Sequence, residues 1–213
     1  MNQNFSAALF DLDGVIFHTE PQYDLFWERI AATYRPDAPQ MVAAIKGTTL
    51  VSTFEAWFSG PYEPLRTDIQ QRLDAFEASM NFNYVPGFQD FLADVLASGI
   101  RTAVVTSSNL PKMGNVYRTH PEFRGRFDAI LTSEDFSESK PHPDCFLKAA
   151  ARLGVRPGEC IVFEDSLNGL RAAGAAGMRA IALCTTLPPE RLAPLSAFQF
   201  SDFRSMRWKD IAR

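Results

Sequence analysis

The spacing of hydrophobic positions changes twice along this chain. Ala7-Ala8-Leu9-Phe10 is a short, wholly apolar run that passes directly into Asp11-Leu12-Asp13-Gly14, the pattern of a buried strand ending in a turn. From there to Met80 the apolar residues keep helical spacing. Tyr23, Phe26, Trp27 and Ile30 form one stripe, Leu50, Val51, Phe54, Trp57 and Phe58 a second, and Leu65, Ile69, Leu73, Phe76 and Met80 a third. Pro21 fits the first turn of a helix, Arg35-Pro36 ends it, and no strand pattern interrupts the stretch. Beyond Tyr84-Val85-Pro86-Gly87 the pattern switches again. Phe88, Phe91, Leu92, Val95 and Leu96 make a helix stopped by Gly99. Apolar strands at 102–106, 129–132, 160–163 and 180–183 then alternate with helices at 144–153 and near 167–176.

Strands that are apolar throughout and alternate with helices imply a parallel sheet covered on both faces. The first strand shares this character but is separated from the others by the helical stretch. The expected fold is therefore α/β: a doubly wound parallel-sheet (Rossmann-like) core, residues 1–17 and 86–213, with an inserted helical cap domain at 18–85. There is no internal repeat.

Composition and charge remove several classes. The 213 residues are 46% hydrophobic and 22% charged, and a chain this long buries about 70% of its unfolded surface without disulfides or a structural metal. The net charge of −4 excludes a basic nucleic-acid footprint. No apolar run reaches the roughly 20 residues of a membrane span, and residues 1–7 lack the order of a secretory signal. Cys145, Cys160 and Cys184 are odd in number and outside CxxC spacing, so neither a disulfide framework nor a zinc site is expected. They suit a reducing compartment. The expectation is a cytoplasmic monomer acting on a small molecule, without nucleic-acid or membrane partners.

In open α/β sheets ligands bind beyond the carboxyl ends of the strands. Asp11 and Asp13 follow the first strand, and Thr106, Ser107, Ser108 and Asn109 follow the second. Lys140-Pro141 follows the third and Glu164-Asp165-Ser166 the fourth. Each has a plainer reading by itself: a helix N-cap for an Asp, a turn for 106–109, solvated surface for the lysine. Together they fall at one edge of one sheet. Acids gathered there repel one another unless a cation joins them, which makes Mg²⁺ the natural expectation.

Asp11-Leu12-Asp13-Gly14-Val15, Val105-Thr106-Ser107-Ser108, Ser139-Lys140-Pro141 and Phe163-Glu164-Asp165-Ser166 resemble, in order, the four motifs of the haloacid dehalogenase superfamily. Within it the chain is similar to the β-phosphoglucomutase-like phosphatases with a helical cap, and the resemblance covers nearly its whole length. It implies that Asp11 is the nucleophile that becomes an aspartyl-phosphate and that Asp13 is the general acid/base. It implies that the Thr106 hydroxyl and the Ser107 amide, with Ser108 nearby, hold the phosphoryl group. Lys140 then bridges nucleophile and phosphoryl oxygens. Mg²⁺ is held by Asp11, the backbone carbonyl of Asp13, Asp165 and Glu164. The chemistry agrees. A carboxylate attacking a phosphate dianion meets like-charge repulsion, which a divalent cation and a lysine offset. A covalent intermediate divides the reaction into two easier steps.

True haloacid dehalogenases and phosphonoacetaldehyde hydrolases lack the second aspartate, so Asp13 points to phosphoryl transfer. A phospho-accepting receiver domain needs its acceptor Asp after the central strand, where this chain has Thr106, and has no such helical insertion. Lys46-Gly47 resembles the cap substrate loop of β-phosphoglucomutases and supplies candidate substrate contacts. Leu50, however, stands where those mutases carry a phosphate-binding arginine, and Tyr23 where they carry a histidine. His18 stands where relatives commonly have Asp, and is read as an exposed turn histidine. Phe26, Trp27, Trp57 and Phe58 are read as cap core. Gly169, Gly174 and Gly177 lack dinucleotide-fingerprint spacing and are read as close helix packing. The reading is a Mg²⁺-dependent phosphatase, a phosphoric monoester hydrolase acting on a small phosphorylated metabolite, a sugar phosphate first. A phosphomutase acting on β-glucose 1-phosphate and an inorganic pyrophosphatase stand as alternatives.

Overall fold

The computed structural model describes residues 5–213; residues 1–4, the start of the expected core, lie outside the described residues. Strand β1 (Ala7–Phe10) is followed by helices α1 (Glu20–Tyr34), α2 (Met41–Ala44), α3 (Leu50–Trp57) and α4 (Arg66–Ala78). The chain continues through α5 (Phe88–Ala97), β2 (Arg101–Val105), α6 (Leu110–Thr119), β3 (Ala129–Leu131), α7 (Asp144–Leu153), β4 (Cys160–Glu164) and α8 (Leu167–Ala175). It ends with β5 (Arg179–Leu183), α9 (Pro189–Leu192), β6 (Phe198–Phe200) and α10 (Trp208–Ile211).

The six strands form one parallel sheet in the order β3-β2-β1-β4-β5-β6. Alternate residues of each strand feed opposite faces. Ala8, Phe10, Val104, Ile161 and Phe163 join Phe88 and Phe91 of α5 and Trp208 of α10 on one side. Ala7, Leu9, Ala103, Val105 and Val162 join Phe146 of α7 and Leu170 of α8 on the other. The sheet is thus covered on both faces, as its apolar strands require. Phe10 and Phe163 are register partners on β1 and β4, and their rings stack with centroids 4.7 Å apart. Both meet the ring of Phe91. Such ring pairs add ~1 kcal/mol each beyond their buried area, and they lock β1 to β4 one residue before the acids that follow.

Helices α1 to α4 surround a hydrophobic cluster of their own, built on Trp27, Ile30, Met41, Phe58, Ile69 and Leu73. Phe26 and Trp57 pack against it, half-buried. Two passes of chain, side by side, join this bundle to the sheet: His18 donates its amide to the Asn83 carbonyl (2.8 Å), and Val85 donates to that of Ile16 (2.9 Å). Buried Phe17 stacks on the ring of His120 between them (5.1 Å).

Elements beyond the hydrophobic pattern have local reasons for escaping it. Strand β6 is a three-residue edge, Phe-Gln-Phe, too short for a period to show. Helix α6 carries Pro111 in its first turn and Gly114 at its centre, and buries only Lys112, Met113 and Val116. Among the described residues, no helix is long and apolar enough to cross a membrane.

Candidate active site

Strands β2, β1 and β4 end side by side, and the order reverses between β1 and β4, the place where open α/β sheets bind ligands. Asp11 follows β1, Thr106 follows β2, and Glu164 and Asp165 close β4. Lys140 enters from the loop between β3 and α7. Its wholly buried ammonium donates to Asp11 Oδ1 (2.5 Å), Glu164 Oε1 (2.7 Å) and the Val105 carbonyl (3.3 Å). The surface lysine of the plainer reading is therefore the most enclosed cation of the site.

The other Glu164 oxygen accepts from the amides of Asp165 and Ser166 (3.0 Å each) and from the Ser166 hydroxyl (2.9 Å). The Glu164 carboxylate, expected among the metal ligands, is engaged on both oxygens between Lys140 and the first turn of α8. Gly169 makes room for it. A Cβ there would lie 1.8 Å from Glu164 Oε1, whereas one at Gly174 would meet nothing within 4 Å. Close helix packing is thus not the reason for these glycines; the buried carboxylate is the reason for Gly169.

Burial pushes the Asp11 carboxyl up to about 7; Lys140 pulls it down, and Glu164 and Asp13 push it further up. Asp165 is pushed well above the usual carboxylate range, first by burial and then by Glu20, Glu164 and Asp11. Burial works against the Lys140 charge, but Asp11 and Glu164 outweigh it and hold the ammonium above its ordinary value. A divalent cation between Asp11 and Asp165 would return both carboxyls to the charged form. Among the described residues, no three His, Cys, Asp or Glu side chains are spaced to hold a metal by themselves. Two carboxylates and a main-chain carbonyl instead fit Mg²⁺, which keeps several of its own waters.

Asp13 accepts hydrogen bonds from Thr19 Oγ1 (2.5 Å), Ser108 Oγ (3.1 Å) and Lys112 Nζ. Sequence reasoning missed two of these three. Thr19 occupies the N-cap of α1 but makes no cap bond with its side chain, its hydroxyl being turned to Asp13. Lys112, nearly fully buried, lies over the Tyr23 ring (4.6 Å), and Tyr23 donates to Glu77 Oε1 (2.7 Å). A usable signal existed in Asn109, whose side chain caps the Lys112 amide (3.0 Å) and so sets Lys112 in the turn following Ser108.

Thr106 is buried, with its hydroxyl accepting from the Ser108 amide (3.0 Å). Ser107 donates to the carbonyl of Gly47 (2.8 Å), so the loop before α3 rests directly on the loop after β2. Gly47 has φ +77° and a Cβ there would come 2.4 Å from Ser166 Oγ, which leaves only glycine for this contact. Lys46 lines the resulting cavity of about 560 Å³ together with Tyr23 and Leu50, and pairs with Glu20 (2.7 Å) and Asp24 (2.5 Å). His18 is exposed and does not line the cavity.

The family model of haloacid dehalogenase-like hydrolases matches residues 5–177. Protein CbbY of Cereibacter sphaeroides is 34% identical over 196 residues, 82% of this chain and 82% of that protein. Hexitol phosphatase B of Escherichia coli (strain K12) is 31% identical over 182 residues, with the same shares covered. Among solved structures, a variant of CbbY from Rhodobacter sphaeroides in complex with xylulose-(1,5)bisphosphate is similar at a TM-score of 0.74. It is 27% identical and covers 94% of this chain and 96% of that one.

Proposed function

Since this chain belongs to the haloacid dehalogenase-like hydrolases, we propose that it hydrolyses the phosphate monoester of a small polyhydroxylated metabolite, a sugar phosphate first, with Asp11 as nucleophile. The observation that carries this reading is the buried Lys140 ammonium, 2.5 Å from Asp11 Oδ1 and 2.7 Å from Glu164, held behind Asp11, which itself lines a cavity walled by residues of both the sheet and α1 to α4. The name of hexitol phosphatase B supports the same substrate class.

In this mechanism the phosphoryl group lies against the Thr106 hydroxyl, the Ser107 amide and Lys140, with Ser108 beside it. The Asp11 carboxylate attacks phosphorus, and the ester oxygen leaves as an alcohol with a proton from Asp13. Asp13 then takes a proton from water as that water attacks the aspartyl-phosphate, and Asp11 is released with inorganic phosphate. Asp11, Asp165 and the Asp13 carbonyl would hold Mg²⁺, which would supply charge that neutralises the phosphoryl group. Glu164 keeps Lys140 aimed, while Thr19, Ser108 and Lys112 keep Asp13 in place.

The division into a core (1–17 and 86–213) and a cap (18–85) follows the separate hydrophobic cluster of α1 to α4 and the paired passes at His18 and Asn83. Such a cap excludes water and reads the leaving group. Hydrolysis is favoured over mutase action because Leu50 lines the cavity at the position where the similar mutases hold an arginine. Buried free thiols at Cys145 and Cys160 support a reducing compartment, the cytoplasm first, and a cap built into the same chain suits a monomer.

The test is a phosphate-release screen over sugar and hexitol phosphates, nucleotides and pyrophosphate. It runs beside a coupled conversion of β-glucose 1-phosphate to glucose 6-phosphate. Release from a sugar or hexitol phosphate is expected, abolished by EDTA and restored by Mg²⁺. Isomerisation with little release would replace this reading by a mutase, and release from pyrophosphate alone by a pyrophosphatase. Within the same assay Lys46→Ala is expected to raise KM for the best ester about tenfold while leaving KM for acetyl phosphate nearly unchanged. Equal effects on both would remove Lys46 from recognition of the leaving group.

A further inference from the structure

Among the described residues, no positive charge is left for a second anion beyond the phosphoryl-binding end of the cavity. Among the described residues, Lys46, in the loop between α2 and α3, is the one cation that the segment of α1 to α4 brings to the cavity wall, and it is held between Glu20 Oε2 (2.7 Å) and Asp24 Oδ1 (2.5 Å). One positive charge between two carboxylates leaves the group at −1, and with one acid protonated it is neutral. Lys112, the other lining cation, is committed to Asp13. Among the described residues no arginine lines the cavity, while Glu55 and Glu138 add negative charge to its wall. The uncharged polar lining, with Thr48, Thr53 and Gln70 among it, matches hydroxyl groups.

We propose that Glu20 and Asp24 are specificity-determining residues that make the cap half of this cavity a charge sieve. The substrate is then a monoester whose leaving half is neutral or cationic, and bisphosphates and phosphorylated carboxylic acids are rejected. The inference rests on the phosphatase reading and deepens it. Glu20 and Asp24 lie one turn apart on α1, so both carboxylates reach the same ammonium from one helix face. A second phosphate seated near Lys46 meets the surplus carboxylate at close range in a partly buried wall, where like charges repel strongly.

The matched pair fructose 1-phosphate and fructose 1,6-bisphosphate tests it. The ratio of kcat/KM for the monophosphate to that for the bisphosphate is expected at about 30 or more in the wild-type protein. In the Glu20→Gln/Asp24→Asn double variant it should fall to about 3, chiefly through a lower KM for the bisphosphate. Taken within one preparation, the ratio does not depend on the folded fraction. A wild-type ratio near one, or a ratio unmoved in the double variant, overturns the sieve. If no ester, acetyl phosphate included, releases phosphate, it is the phosphatase reading that fails. Calorimetric binding of the two fructose esters then tests the sieve by itself, and a tighter bisphosphate overturns it.

Discussion

Asp11→Asn is expected to lower kcat by about 10⁴-fold or more with every phosphate ester, because an amide oxygen is too weak a nucleophile to attack phosphorus. The fold should not suffer. Asn matches the carboxylate in shape, and Lys140 keeps Glu164 as its partner at 2.7 Å. In metal-free protein the change should even help. Folding lifts the Asp11 carboxyl from the ordinary ~3.9 to about 7, so its charged form is disfavoured in the native state. Stability from this group is therefore present at low pH, where it is protonated in both states. It is lost as pH rises from about 4 through about 7. The neutral amide escapes that loss. A melting temperature in EDTA at pH 7 equal to or above that of the wild type, together with abolished phosphate release, is the expected pair of results. Turnover near the wild-type rate would remove Asp11 as the nucleophile. A collapsed melting temperature would show that the site depends on the Asp11 charge for its architecture.

The second large effect is expected at a residue with no reacting atom of its own, at Gly169→Ala. In most helices alanine is better than glycine by ~1 kcal/mol. Here the added methyl would sit 1.8 Å from Glu164 Oε1, so the carboxylate must leave the position in which it accepts from Lys140 and the first turn of α8. Disrupting a buried ion pair of this kind costs ~3–5 kcal/mol. Activity should fall at least about 100-fold with it, since the lysine loses the brace that aims it at Asp11. Gly174→Ala on the same helix meets nothing within 4 Å and is expected to leave stability equal or slightly raised. Denaturant melts of the two variants, with phosphate release measured beside them, check the contrast. A Gly169→Ala protein as stable and active as the wild type would mean that Glu164 does not depend on this position.

The parts of the fold that the chain spells out most clearly are those where two faces are buried at once. β1, β2, β4 and β5 are apolar because helices cover both sides of them, and the acids stand out because they come directly after those strands. Helix α6 and strand β6 are less legible, the first because Pro111 and Gly114 break its pattern, the second because it is a short edge. The candidate site divides in the same way. Asp11, Thr106, Lys140 and Asp165 announce themselves by position after a strand. Thr19 and Lys112 do not, since a threonine before a helix reads as a cap and a lysine in a first turn as solvent-facing. Only the tertiary arrangement, across 99 positions for Lys112, turns both toward Asp13. The partners of Lys46 are hidden similarly, because the 22 and 26 positions between them and the lysine carry no local signal.

The adjacency of the two chain passes at His18 and Asn83 has a consequence for how such a protein can change. All of α1 to α4 leaves and re-enters the sheet through backbone atoms 2.8 Å apart, so topologically the bundle is one long loop whose ends already meet. A foreign bundle with similarly spaced ends can be spliced in without altering the register of any strand, and the ring pair of Phe10 and Phe163 continues to hold the acids beyond it. On the proposed reading selectivity would travel with such a cassette, provided that its first residue keeps the Thr19 hydroxyl on Asp13, whereas Asp11 and Lys140 stay with the strands.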